Sequence, residues 1–106
     1  MRQLRKKKRE DLLILLKFSK MFSLKFSNRA AKFVKRLEQK SKDRIEKKTR
    51  ELQENPFPKE AMRVESYKDY KIFRVRVGDF RILYSVDFKD KLIIIVDVGK
   101  RNKIYD

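Results

Sequence analysis

Hydrophobic positions along this chain alternate, then recur at helical spacing, then alternate again. In residues 21–27 (MFSLKFS), Phe22, Leu24 and Phe26 alternate with Ser23 and Lys25, which predicts a half-buried strand. Ser27 or Asn28 stands where a helix cap is needed. Ala30, Phe33, Val34 and Leu37 then recur at helical spacing, with Lys32, Lys35 and Arg36 on the other side. After a polar break around residues 39–42, Ile45, Thr49 and Leu52 continue the period among Arg44, Lys47, Lys48 and Arg50. Asn55-Pro56-Phe57-Pro58 stops it, because proline lacks the amide proton a helix needs and disfavours helix in the residue before it. The pattern is that of two short helices forming a hairpin.

Beyond the prolines the period returns to two. Residues 61–65 predict a strand and 66–69 a turn. Residues 70–77, a Gly78-Asp79 turn and residues 80–88 predict a hairpin. Lys89-Asp90 makes another turn, and residues 92–98 (LIIIVDV) read as a central strand covered on much of both faces. The order is β-α-α-β-β-β-β, with the last three strands antiparallel neighbours. The expected fold is α+β: a small antiparallel sheet with an N-terminal strand and a two-helix hairpin packed on one face.

Composition narrows the chemistry. The 106 residues carry 31 Lys+Arg against 15 Asp+Glu, a formal charge of +16, yet 41% are hydrophobic, with eight Phe and four Tyr. That is too much apolar material for a solvated tail, and a single folded domain is expected. The absence of Cys removes disulfides, thiolate metal sites and a Cys nucleophile. The absence of His removes the usual general base and the commonest metal ligand. No apolar run reaches the roughly 18 residues of a membrane span, so a soluble, very basic domain is expected, with a polyanion or an acidic protein as partner.

Residues 1–20 carry eight Lys/Arg and two acids, and the other 86 carry 23 and 13, so the folded part is basic in its own right. The start MRQLRKKKR precedes residues 12–16 (LLILL). That apolar run is too short for a signal peptide and no cleavage site follows, so export is not expected. Residues 1–20 then form a basic extension: a nucleic-acid-binding arm, a helix lying on the domain, or an over-long start ahead of Met21. Residues 21–106 form the domain.

Strand alternation locates the chemistry. Phe73, Val75 and Val77 point one way and Arg74 and Arg76 the other; in the next strand Arg81, Leu83 and Ser85 oppose Phe80, Ile82, Tyr84, Val86 and Phe88. If the aromatic and branched sets cover the helices, Arg74, Arg76 and Arg81 share the uncovered face. Lys100, Arg101, Lys103 and Tyr105 lie just past the last strand, within reach of it. The helix cations read as solvated surface, Tyr84 as core, and Asp79 as a turn residue. Neither a metal cluster nor a paired-carboxylate site stands out.

The stretch 73–84 (FRVRVGDFRILY) resembles the signature of the RelE/ParE toxin superfamily, whose members often read YRLRVGDYRVIY there. Residues 98–105 (VGKRNKIY) resemble its closing motif, a Gly-Lys-Arg followed by Tyr. The resemblance covers residues 21–106. It implies a toxin of a toxin–antitoxin pair: RelE-type members cut messenger RNA in the ribosomal A site, and ParE-type members poison DNA gyrase. Carried over by motif, the RelE-type catalytic set falls on Arg74, Arg76, Arg81, Arg101 and Tyr105. Lys71, Leu83, Lys100 and Lys103 complete the expected RNA-contacting set. No metal or cofactor is implied. The implied partners are an acidic RelB-like antitoxin in a hetero-oligomer, the ribosome and its messenger; no membrane is involved. The characterised bacterial enzyme has Lys at both first-strand positions where this chain has Arg, a poorer base, so the general base is left open. The rivals are a gyrase-poisoning toxin on the same fold and a non-catalytic RNA-binding protein.

Overall fold

A computed structural model describes residues 21–64 and 71–100. In chain order it contains β1 (Ser23–Phe26), α1 (Asn28–Lys35), α2 (Gln39–Glu54), β2 (Met62–Arg63), β3 (Phe73–Val77), β4 (Phe80–Asp87) and β5 (Leu92–Lys100). This is the expected α+β order. The five strands form one sheet in the order β1-β5-β4-β3-β2, with β1 parallel to β5 and every other pair antiparallel.

Local chemistry explains the boundaries. Ser27 caps α1: its hydroxyl accepts from the Ala30 N–H at 3.0 Å and donates to the Val96 carbonyl at 2.6 Å, so one side chain starts the helix and ties it to β5. α2 begins at Gln39 and runs 16 residues, so the polar stretch 39–42 is its first turn and not a break. Gln39 and Lys40 face water there, and the Gln39 side chain donates to Asp43 at 2.8 Å, an i,i+4 pair that supports a helix. At the other end of α2, Gln53 Nε2 donates to the Phe22 carbonyl at 2.8 Å, and the Phe22 N–H donates to the Gln53 carbonyl at 3.0 Å. That pair ties the end of α2 to the entry of β1.

The core lies between the helices and one sheet face. Ala30, Ile45 and Leu52 meet Val75, Ile82, Tyr84, Ile93, Ile95 and Val98, all buried. Tyr84 is core, as expected; its hydroxyl donates to the Pro56 carbonyl at 2.6 Å, and burial pushes its pKa well above the ordinary 10.0. Ile93 and Ile95 keep strict alternation, but the next core residue is Val98. A register irregularity between β4 and β5 accounts for this: Tyr84 pairs with Ile95 while Leu83 pairs with Asp97, so β5 carries one extra residue. Without that bulge, alternation would send Asp97 into the core. The bulge places Val98 there instead, and Asp97 stays half-buried, accepting from the Val98 N–H at 2.9 Å and lying 3.6 Å from the Arg29 guanidinium.

Candidate nucleic-acid interface

The register settles which side chains share the face away from the helices. Arg76 stands directly opposite Arg81, and Arg74 opposite Leu83. Directly opposed residues have Cβ atoms about 4.5–5.5 Å apart, so three guanidinium groups form one short row beside the β3–β4 turn. Arg74 and Arg81 are half-buried, with the Nε of Arg81 sunk beneath the surface, and Arg76 is exposed. The register gathers three positively charged side chains at the turn end of this sheet face.

Two features hold the row in place. The β3–β4 turn is tight because Gly78 takes φ +57°, a left-handed conformation costly for any residue with a Cβ. Beside the row, Met62 of β2 pairs with Arg74, whose Nη2 lies 3.0 Å from the methionine Sδ. Met62 is exposed. Nothing in the strand alternation of the first hairpin points to it, because β2 is only two residues long.

The same face is apolar further from the turn. Leu83 is fully buried, packed with Val64, Ile72 and the half-buried Val96. This corrects the expectation that Leu83 contacts RNA: it has no surface to offer, and its role is to seat β4 against Val64 and Ile72. Lys71 is exposed but precedes β3 beside Ile72, at the apolar end and not in the row. Lys100 is exposed at the end of β5, opposite Phe80 by register and so next to the turn end of the row. Arg101, Lys103 and Tyr105 lie outside the described residues, as do 1–20 and 65–70.

The helix cations mostly face solvent, as expected; Lys42 and Lys48 are half-buried. The Lys48 ammonium lies 2.9 Å from Glu51 and 3.0 Å from Glu60. Those contacts, the Glu51 hydrogen bond foremost, raise its pKa above the ordinary 10.5. The Glu60 carboxyl is held below its ordinary 4.5, first by its own backbone hydrogen bond and then by Lys48. Among the described residues no helix is long and apolar enough to cross a membrane.

With this geometry established, the chain can be set beside known proteins. The family model described as "ParE toxin of type II toxin-antitoxin system, parDE" matches residues 24–105. A protein assigned as toxin RelE1 in Methanocaldococcus jannaschii is 31% identical over 85 residues, covering 79% of this chain and 94% of that one. The structure of the archaeal RelE–RelB complex from Pyrococcus horikoshii OT3 superposes with a TM-score of 0.68 at 28% identity, over 79% of this chain and 99% of that one. The intact RelBE toxin–antitoxin complex of E. coli superposes at 0.54 and 26% identity, over 74% and 95%.

Proposed function

This chain belongs to the RelE/ParE superfamily of toxins from type II toxin–antitoxin systems, and from that premise we propose that it is a messenger-RNA endonuclease acting in the ribosomal A site. The observation that carries the reading is the row itself: Arg76 opposite Arg81, with Arg74 beside them on the face away from the helices. Phosphoryl-transfer catalysis by RNA cleavage needs little from the protein except orientation and anion stabilisation. The RNA supplies the nucleophile. Its 2′-oxygen attacks the adjacent phosphorus, the P–O5′ bond breaks, and the products are a 2′,3′-cyclic phosphate and a 5′-hydroxyl. The 2′-hydroxyl proton leaves to a base, and the 5′-oxygen gains a proton.

In this mechanism Arg81 and Arg101 clamp the phosphate, because a guanidinium fork donates two hydrogen bonds to one phosphate. Arg74 and Arg76 position the backbone, and Tyr105 stacks on a base or orients the 2′-hydroxyl. The chain contains no His, and an arginine is a poor base, so the ribosome's shaping of the message carries part of the work. Lys100 and Lys103 extend the phosphate contacts. Residues 1–20 are an appendage to the catalytic domain.

The partner proposed is an acidic antitoxin. The Pyrococcus horikoshii and E. coli relatives were each solved with RelB, and a chain of charge +16 in a cell full of RNA needs a polyanionic mask. The ribosome and the antitoxin both place the protein in the cytoplasm.

A second reading, poisoning of DNA gyrase, is supported by the match of residues 24–105 to the ParE toxin family. One experiment separates them. Purified toxin is added to ribosomes programmed with a defined message, and in parallel to gyrase with relaxed plasmid. Cleavage at the A-site codon with gyrase unaffected supports the nuclease; gyrase-linked DNA breaks with an intact message support the rival.

A further inference from the structure

The ladder between β2 and β3 ends at Arg74, so beyond it the turn end of β3 borders α2 instead of another strand. There a cleft of about 360 Å³ opens between α2 and the β3–β4 turn, with Arg44, Lys47, Lys48 and Glu51 on one wall and Arg76 and Gly78 on the other. Its volume is at the small end of ligand sites, enough for one phosphate and its sugar. Three cations of α2, Arg44, Lys47 and Lys48, stand beside one carboxylate, and that carboxylate is already engaged by Lys48 at 2.9 Å. Arg44 and Lys47 are exposed and make no ion pair among the described residues.

The wall is built. Arg44 Nη1 lies 3.2 Å from the point where a Cβ on Gly78 would stand, and Gly78 has φ +57°. Glycine therefore serves two ends at once: it permits the turn, and it leaves room for the Arg44 guanidinium to lie against it. Arg76 belongs both to the cleft and to the Arg row, where it faces Arg81. The cleft therefore adjoins the row at Arg76, with the α2 cations on its far wall.

We infer that the α2–turn cleft, through Arg44 and Lys47, is a second phosphate subsite that holds the backbone of a bound RNA beyond the row. Naming RNA as the ligand rests on the proposed function. A strand whose reacting phosphate lies against Arg81 must place its neighbouring phosphates somewhere, and the surface joined to the row by Arg76 is where the charge continues. The continuity favours a phosphodiester chain, which carries a charge on every unit, over a peptide, whose carboxylates fall only where its sequence puts them.

The test uses the full chain and an uncleavable probe, a fluorescent 2′-O-methyl RNA oligonucleotide, so binding is read without catalysis. Arg44→Gln with Lys47→Gln keeps the aliphatic stems and removes the charges, on residues outside the catalytic set. The dissociation constant should rise roughly 5- to 20-fold near 0.1 M salt, and the log–log salt slope should become shallower by about 0.7–1.5, the contribution of one or two phosphates. Gly78→Ala, with its folding checked by thermal melting, should weaken the probe in the same direction by displacing Arg44. Antitoxin affinity should change less than RNA affinity. An unchanged constant and slope, or no measurable probe binding by the unaltered chain, overturns the subsite. A larger loss of antitoxin than of RNA overturns it in favour of an acidic peptide. Failure of the programmed-ribosome assay with the unaltered chain counts against the nuclease alone, because the probe is never cut.

Discussion

Arg81 and Arg101 are the two positions at which the proposed chemistry is most exposed to failure. Replacing either by Ala removes a charged donor from the developing phosphorane, which typically lowers a rate by about 10²–10³. Each variant should lose message cleavage by that order while melting at nearly the same temperature and still binding antitoxin. Retained cleavage with both replaced removes the nuclease reading. Gly78 makes a different demand. Gly78→Ala places a Cβ in a left-handed turn, costing about 1–2 kcal/mol, and presses on Arg44 Nη1 at 3.2 Å; chemical denaturation should show that loss. The row of Arg74, Arg76 and Arg81 was readable from alternation alone, because β3 and β4 keep an unbroken period of two. Leu83 was misread by the same logic. Sharing a face with the arginines, it looks exposed, but Val64 and Ile72 cover it from segments that alternation within one hairpin does not bring in.

At the scale of elements, Ser27 joins three of them, starting α1 and holding Val96 of β5 beside the end of β1. Ser27→Ala should destabilise the domain by about 1 kcal/mol for the lost cap, and by more where the Val96 carbonyl is left unpaired, read as a fall in denaturation midpoint. Lys48 gives a pH signature. Its pKa is raised by Glu51 and Glu60, so its contribution to stability is complete below its ordinary 10.5 and is lost as pH rises through the raised value. Glu60 is lowered, so its contribution is complete above its ordinary 4.5 and is lost as pH falls through the lowered value. Lys48→Met should therefore flatten the alkaline end of the thermal stability profile and leave most of the acid end, because the Glu60 shift rests first on its own backbone hydrogen bond. Element types and order were legible, because each change of period marks a change of structure. The start of α2 was not: its first turn is entirely polar and carries no apolar period to read. The β5 bulge was also hidden, since LIIIVDV reads as an unbroken run. Only the Leu83–Asp97 and Tyr84–Ile95 pairs reveal the extra residue.

At the scale of the whole molecule, the proposed nuclease activity, the charge of +16 and the basic row together call for an acidic antitoxin as the proposed mask. Toxin–antitoxin affinity should fall with added salt, but less steeply than RNA affinity, because a wrapping peptide also buries apolar anchors. Saturating antitoxin should block ribosome binding outright; a stable complex of all three with the Arg row accessible contradicts that. A chain starting at Met21 should fold, bind antitoxin and cleave; an insoluble or inactive product would instead make residues 12–16 part of the core. The central claim is narrower than any of these and is tested most directly at one atom of the substrate. Ribosomes are programmed with two messages that differ only in a 2′-hydroxyl or a 2′-hydrogen on the nucleotide before the scissile phosphate in the A site. The proposed mechanism predicts cleavage of the first, with a 2′,3′-cyclic phosphate on the upstream fragment and a 5′-hydroxyl on the downstream one, and no cleavage of the second. Cutting of the deoxy message, or an intact message in both, contradicts it.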